Sequence, residues 1–162
     1  MASGDSLVIW PVSSNEPPAA TYATPDKRNA RPVLDFALTE IGVFGFVMPQ
    51  HYGGGGVTFH LIYAMTSAVA DDINLSTALE RVNDGGLDID GDSFAAAQNT
   101  GDITVPGTSG FTDTVTTAHT DGAQMDSIAV GDGFRVKVLR NAVGGTDATG
   151  DLELLWVEMR ET

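Results

Sequence analysis

The sequence predicts an all-β protein: an antiparallel β-sandwich with about eight strands, one short helix and an extended N-terminal arm. Three observations carry this prediction. The stretch VTFHLIYAM, residues 57–65, places Val57, Phe59, Leu61, Tyr63 and Met65 on one face and Thr58, His60, Ile62 and Ala64 on the other, the period-two alternation of a sheet strand. The chain carries 19 glycines, and turn clusters such as VNDGGLDIDGD and PGTSG separate its short apolar runs. No strand pattern alternates with long helical patterns, which argues against parallel βαβ units.

Leu7 to Val12 is short, apolar and partly β-branched, and forms the first strand. Residues 13–32, SSNEPPAATYATPDKRNARP, hold four prolines, which exclude a helix interior and a central strand. Residues 1–32 therefore read as a first strand and an extended arm, and residues 33–162 as the sandwich, within one domain. Lys27, Arg28 and Arg31 make the arm the one locally positive segment. Val43 to Met48 is apolar at successive positions, as in a strand buried on both sides.

Gly53 to Gly56 supply a tight connection into the 57–65 strand. LSTALERV, Leu75 to Val82, satisfies both helical and strand periods, and the β-rich surroundings assign it to a strand. SFAAAQNT and FTDTVTTAH read as further strands. Asp121, with Gln124 three residues later, resembles a capping box ahead of Ala123, Met125 and Ile128, and marks the short helix. Phe134, Val136 and Val138 alternate with Arg135 and Lys137, and the last strand runs from Leu152 to Arg160. These two strands are expected to pair as a hairpin, with Arg135 and Lys137 opposite Glu153, Glu158 and Glu161, each pair contributing about 0.2–1 kcal/mol. The pattern favours a sandwich of the jelly-roll type, in which both chain ends share one sheet and a terminal strand closes the structure.

Composition narrows the function. A chain of 162 residues is the size of one domain and can bury about 70% of its unfolded surface. With 22 acidic and 8 basic residues, its net charge of −14 repels nucleic acid and anionic membranes. From 82 to 134 there is no Lys or Arg, and the aspartates there read most plainly as a solvated face. Cysteine is absent, so disulfide and thiolate chemistry are excluded, which suits assembly in a reducing cytoplasm. The N-terminus lacks a basic region, and Leu7 to Trp10 is too short for a signal peptide or a membrane span.

No catalytic constellation emerges. There is no G-x-S-x-G, and His51, His60 and His119 form no H-E-x-x-H motif; His60 belongs on a sheet face and the other two in loops. The tetraglycine lacks the Lys and Ser/Thr of a phosphate loop. In DGGLDIDGDS, Asp88, Asp90 and Asp92 are candidate calcium ligands, because hard cations take several oxygen donors. The EF-hand register fails, with Ser93 where Gly belongs and Asn99 where Glu belongs, so a solvated acidic turn is the simpler reading. Trp10, Trp156 and the VFGFVM strip either line a sugar-binding face or pack the core, and core packing is the simpler use. Tyr22, Tyr52 and Tyr63 remain for polar-tipped contacts. An enzyme is not expected, and no cofactor is.

The stretches MASGDSLVIWPVSSNEPPAATYATPDKRNARPVLDF, GDSFAAAQ and the segment from FTDTVTTAH to the C-terminus resemble small structural proteins of tailed bacteriophages and prophages. Within that group, jelly-roll proteins of this size are similar to capsid decoration, or cement, proteins. The resemblance implies a homotrimer on the outside of a virion, made in the host bacterial cytoplasm, bound to the phage major capsid protein and carrying no catalytic or metal residues. Lys27, Arg28 and Arg31 would then lie across an acidic shell surface, where many weak contacts add through multivalency. The alternative is a head-fibre or tail receptor-binding module that recognises host surface glycans. A glycan-cleaving enzyme is the third reading and requires convergent carboxylates in a deep groove.

Overall fold

The computed structural model describes residues 4–67, 70–91 and 93–162. In chain order its strands are β1 (Ser6–Pro11), β2 (Thr24–Arg28), β3 (Arg31–Phe36), β4 (Ile41–Val47), β5 (Val57–Met65), β6 (Asp72–Val82), β7 (Gln98–Asn99), β8 (Ile103–Thr104), β9 (Thr112–His119), β10 (Gly133–Asn141) and β11 (Leu152–Glu161). They form two antiparallel sheets, the jelly-roll sandwich anticipated from the alternation. The six-stranded sheet runs β2-β3-β11-β5-β9, with β1 also on β11; the five-stranded sheet runs β4-β10-β6-β7, with β8 on β6. Among the described residues, no helix is long and apolar enough to cross a membrane.

The C-terminal strand is central. β11 pairs with β5 along its length, and its other side pairs with β3 at Leu152 to Leu154 and with β1 at Trp156 to Arg160. Its register slips by one residue, because Leu154 faces Tyr63 while Trp156 faces Ile62. This bulge shifts the alternation: Leu152 and Leu154 are buried before it, Val157 and Met159 after it. Leu155 and Trp156 are consequently both turned to solvent.

The core fills the space between the sheets. From β1, Trp10 donates its indole N–H to the Gly45 carbonyl of β4 at 3.1 Å and so ties one sheet to the other. Its ring meets Phe134 edge-on at 6.0 Å and lies beside Phe59 at 6.3 Å. Phe36, Phe44, Tyr63, Leu61 and Leu79 complete this layer, all fully buried. Each such side chain contributes roughly 1.5–3 kcal/mol relative to exposure.

Several local expectations change. β10 and β11 do not pair; they lie in different sheets, and the loop between them crosses the end of the sandwich, where Ala148 N–H donates to the Asp72 carbonyl at 2.8 Å. A ten-residue connection fixes no pairing as a two-residue turn would. Arg135 is instead bonded through Nε to Glu80 at 2.7 Å, and Lys137 sits 4.5 Å from the centre of the Phe94 ring. Within the arm, residues 24–28 are extended, as prolines require, but as the edge strand β2 paired with β3.

The helix expected at Asp121 is a single 3-10 turn, Ala123–Met125, capped by Gly122. It stops because Asp126 and Ser127 take positive φ of 52° and 54°. Of SFAAAQNT only Gln98 and Asn99 pair as a strand, since the preceding residues carry Phe94 over the face of the five-stranded sheet to Arg135 and Lys137. β4 is not buried on both sides at its end, where Phe46 and Val47 are about half exposed. His119 is not in a loop; it closes β9 and is buried.

Candidate functional site

The solvent-facing side of the six-stranded sheet carries the molecule's most distinctive surface. Register across β11, β5 and β9 sets outward residues in rows: Glu153, Ala64 and Thr112; Trp156, Ile62 and Thr114; Glu158, His60 and Thr116. Outward neighbours two residues apart on a strand are roughly 7 Å apart. In the middle row Trp156 is 40% exposed, with Pro11 of β1 on one side and Ile62 of β5 on the other. The bulge adds Leu155 to the same face. The result is an aromatic ring set in a small apolar strip on a β-sheet.

Polar groups border this strip. Glu158 accepts a hydrogen bond from Arg160 Nη2 at 2.8 Å and another from the Ser6 hydroxyl. The Arg160 bond, with that from Ser6, holds its carboxyl below the usual glutamate range. Burial, and then the Arg160 guanidinium, lower the His60 pKa, so the imidazole is neutral at pH 7 and offers one donor and one acceptor. Thr114 and Thr116 add exposed hydroxyls from β9.

Next to the strip lies a recess of about 380 Å³, lined by Arg28, Asn29, Arg31, Glu153, Thr112 and Leu155, among others. Leu155 is adjacent to Trp156, so strip and recess are continuous. Arg28 is fixed in place: its Nη1 donates to the Met65 carbonyl at 2.9 Å and pairs with Glu153, and its Nη2 donates to Ser109 Oγ at 2.9 Å. Gly110 leaves it room, since a Cβ there would stand 2.9 Å from Arg28 Nη2. Glu153 is thereby neutralised although its side chain is almost fully buried.

The structure distributes the sequence candidates unevenly. Arg28 and Arg31 both line the recess, whereas Lys27, one residue away on an extended strand, faces the opposite side and does not. Asp88 and Asp90 lie in an exposed turn where Asp90 N–H donates to Asp88 Oδ1 at 3.0 Å; Asp92 falls outside the described residues. Among the described residues, no group of three or more His, Cys, Asp or Glu is placed to hold a metal ion. Trp10, Tyr52 and Tyr63 belong to the core, and only Trp156 of the two tryptophans reaches the surface. Tyr22 is about half exposed on a different segment. Nothing in the sequence marked Glu153, Leu155 or Ile62 as site residues, because their role at the site depends on register between distant strands.

No protein-family model matches the sequence, and no curated protein matches it. Solved structures do match. CsCBM6-3 from Clostridium stercorarium, solved in complex with cellobiose, is 7% identical, with a TM-score of 0.56 over 96% of this chain and 95% of that one. The xylan-binding module CBM15 is 13% identical, with a TM-score of 0.55 over 96% of this chain and 97% of that one. The C-terminal CBM6 of LamC, a marine laminarinase from Zobellia galactanivorans, is 12% identical, with a TM-score of 0.53 over 95% of this chain and 98% of that one. At such identities the likeness is one of fold: this chain is similar to carbohydrate-binding modules in the arrangement of its two sheets.

Proposed function

We propose that this protein is a glycan-recognition module that binds without turnover, using the Trp156 face of the six-stranded sheet. The observation that carries the reading is the bulge that turns Trp156 outward into an apolar strip with polar neighbours. A pyranose ring has an apolar face of C–H groups that suits an aromatic surface, while its hydroxyls need donors and acceptors such as His60, Thr114 and Thr116 supply. The shared fold with modules solved on cellobiose or described as xylan-binding supports the same reading.

Binding without turnover is supported by the state of the carboxylates. Glycoside hydrolysis uses two carboxyl groups, one of them free to give a proton. Among the described residues, Glu153 is the one carboxylate lining the recess, and it is held by Arg28; Asp35, its neighbour across the β3–β11 pair, does not line the recess. Glu158 on the strip is held by Arg160 and Ser6.

Of the two roles opened by the sequence, shell decoration and glycan recognition, the fold favours the second. Virion attachment rests on sequence resemblance alone, and the matching structures named above are carbohydrate-binding modules. On a phage particle such a module would face host surface glycans; antibody labelling of intact virions tests that placement.

Affinity electrophoresis and calorimetry against a panel of soluble polysaccharides test the function. Binding to at least one member is expected, with Trp156→Ala weakening it tenfold or more at an unchanged melting temperature. No binding to any glycan, or binding indifferent to Trp156→Ala, would overturn the proposal.

A further inference from the structure

The recess beside Trp156 points to the chemistry of the ligand, an inference that rests on the glycan-binding reading. Its rim is the tip of the β2–β3 hairpin. Arg28 and Arg31 stand directly opposite each other there, joined by Asn29 and Ala30 with φ of 47° and 62°. Two successive residues of positive φ make the tight type I′ turn, which favours Asn first and Gly second. Alanine in the second place is strained, because its Cβ crowds the backbone at positive φ, and like charges directly opposed on a hairpin are themselves destabilising. The chain thus brings two guanidiniums together against two local preferences. Such departures are expected where a site has a task other than folding.

The two arginines are held differently. Arg28 is locked by Met65, Ser109 and Glu153, which leaves its planar group oriented. Arg31 is exposed and has no hydrogen-bond or ion-pair partner among the described residues. In a protein with 22 acidic and 8 basic residues, an unpaired guanidinium is uncommon. Arg81 pairs with Asp132, Arg135 with Glu80 and Arg160 with Glu158, while Arg140 is spent on backbone carbonyls. Among the described residues, two guanidiniums stand against the one carboxylate of Glu153 in the recess lining, a net positive charge of one on a molecule whose total is −14.

We propose that this recess receives the anionic substituent, a carboxylate or a sulfate, of an acidic sugar unit whose neighbouring ring packs on Trp156. Arg31 supplies a forked donor pair that matches a carboxylate or sulfate, and Asn29 and Thr112 lie at hand for hydroxyls. Leu155 and Val33 provide the apolar wall. The acidic remainder of the surface repels polyanions in general, which confines them to this spot.

The test uses the full chain, with polygalacturonate and κ-carrageenan as acidic probes and hydroxyethylcellulose and neutral xylan as uncharged ones. Acidic probes are expected to bind more tightly, with affinity falling as salt rises. Arg31→Gln should weaken acidic binding about tenfold and flatten the salt dependence; Arg31→Lys should restore the salt dependence with part of the affinity. Trp156→Ala should weaken binding to the same probes.

Uncharged polymers bound as tightly as acidic ones, or acidic binding that survives Arg31→Gln with its salt dependence intact, would overturn the inference and leave the glycan-binding reading standing. Failure of every probe to bind would overturn both. Arg31 is exposed, so its variants should keep the wild-type melting temperature, and a melting curve for each confirms a folded sample.

Discussion

Thr77 Oγ1 lies 2.7 Å from His119 Nε2, a buried hydrogen bond between the two sheets. Thr77 comes from β6 and His119 from β9, and both are buried. The other ring nitrogen, Nδ1, lies 3.2 Å from the Gln124 carbonyl, which can only accept, so Nδ1 carries the proton and Nε2 accepts from the Thr77 hydroxyl. Thr77 Oγ1 is also 2.5 Å from Thr117 Oγ1, which leaves Thr117 as the donor of that bond. The chain of bonds is satisfied from end to end, as a buried polar cluster must be.

Thr77→Val keeps the shape and removes the central hydroxyl, so His119 Nε2 and Thr117 lose a partner without access to water. A loss of about 1–3 kcal/mol is expected, or roughly 2–12 °C in melting temperature for a domain of this size. Thermal denaturation followed by circular dichroism measures it. An unchanged midpoint would mean that the cluster contributes nothing to stability.

Burial keeps the His119 pKa below its ordinary 6.5, so the folded state resists the proton that the unfolded chain takes up near that value. This stabilisation is fully present above pH 6.5 and is lost as the pH falls from there through the folded-state value. Melting temperatures between pH 7.5 and 5 should decline through this term, and His119→Gln should flatten the decline. A profile as steep in the variant as in the wild type would remove His119 from the account.

Asp35 works in the opposite sense. It stands opposite Glu153 in the β3–β11 pair, and its Oδ1 is buried without a hydrogen-bond partner among the described residues. Burial, followed by the charges of Glu153 and Asp26, pushes its pKa up from 3.8 to about 6. The folded state therefore holds the proton more tightly, and ionised Asp35 destabilises the fold above about pH 6, a cost relieved as the pH falls toward 3.8. Asp35→Asn should raise the melting temperature at pH 7.5 and change it little at pH 4. Its profile should also fall more steeply toward acid than the wild type, because the His119 term is then unopposed.

Arg140 pins the far end of the sandwich. Its Nη1 donates to the carbonyls of Phe36 and Gly150, each at 2.9 Å, and its Nη2 to that of Ala148 at 2.7 Å. The side chain is 2% exposed and connects β10 to the end of β3 and to the loop leading into β11. Arg140→Met should strand these carbonyls and cost about 3 kcal/mol or more, read from urea denaturation midpoints. Arg140→Lys should recover only part, because an ammonium cannot fork between divergent acceptors.

The residues of β5 show what alternation alone delivers. Val57, Phe59, Leu61, Tyr63 and Met65 are all buried, as period two requires, and the strand needs no distant information to choose its inner face. The prolines of residues 13–32 likewise announced extended chain, and β2 obeys them by taking an edge. Arg28 and Arg31 were also visible in the sequence as candidate contacts, because they form a basic cluster in an acidic chain. All-β class, a sandwich core and a basic cluster near the N-terminus thus follow from local pattern, since each depends on neighbours in sequence.

Trp156 shows the limit. Strict alternation from Leu152 and Leu154 would send it into the core, and only the extra residue at Leu155 turns it out. That bulge is fixed by β5 and β1, strands that begin roughly a hundred or more residues earlier in the chain. The partner of Arg28 is just as remote, with Glu153 lying 125 residues away. The partition of β10 and β11 between sheets had no local signal either, because a long glycine-rich loop permits both pairing and crossing. Local sequence therefore determined which residues are strands and what charge they carry. Packing of the two sheets decided which side of β11 faces water, and with it where a ligand would lie.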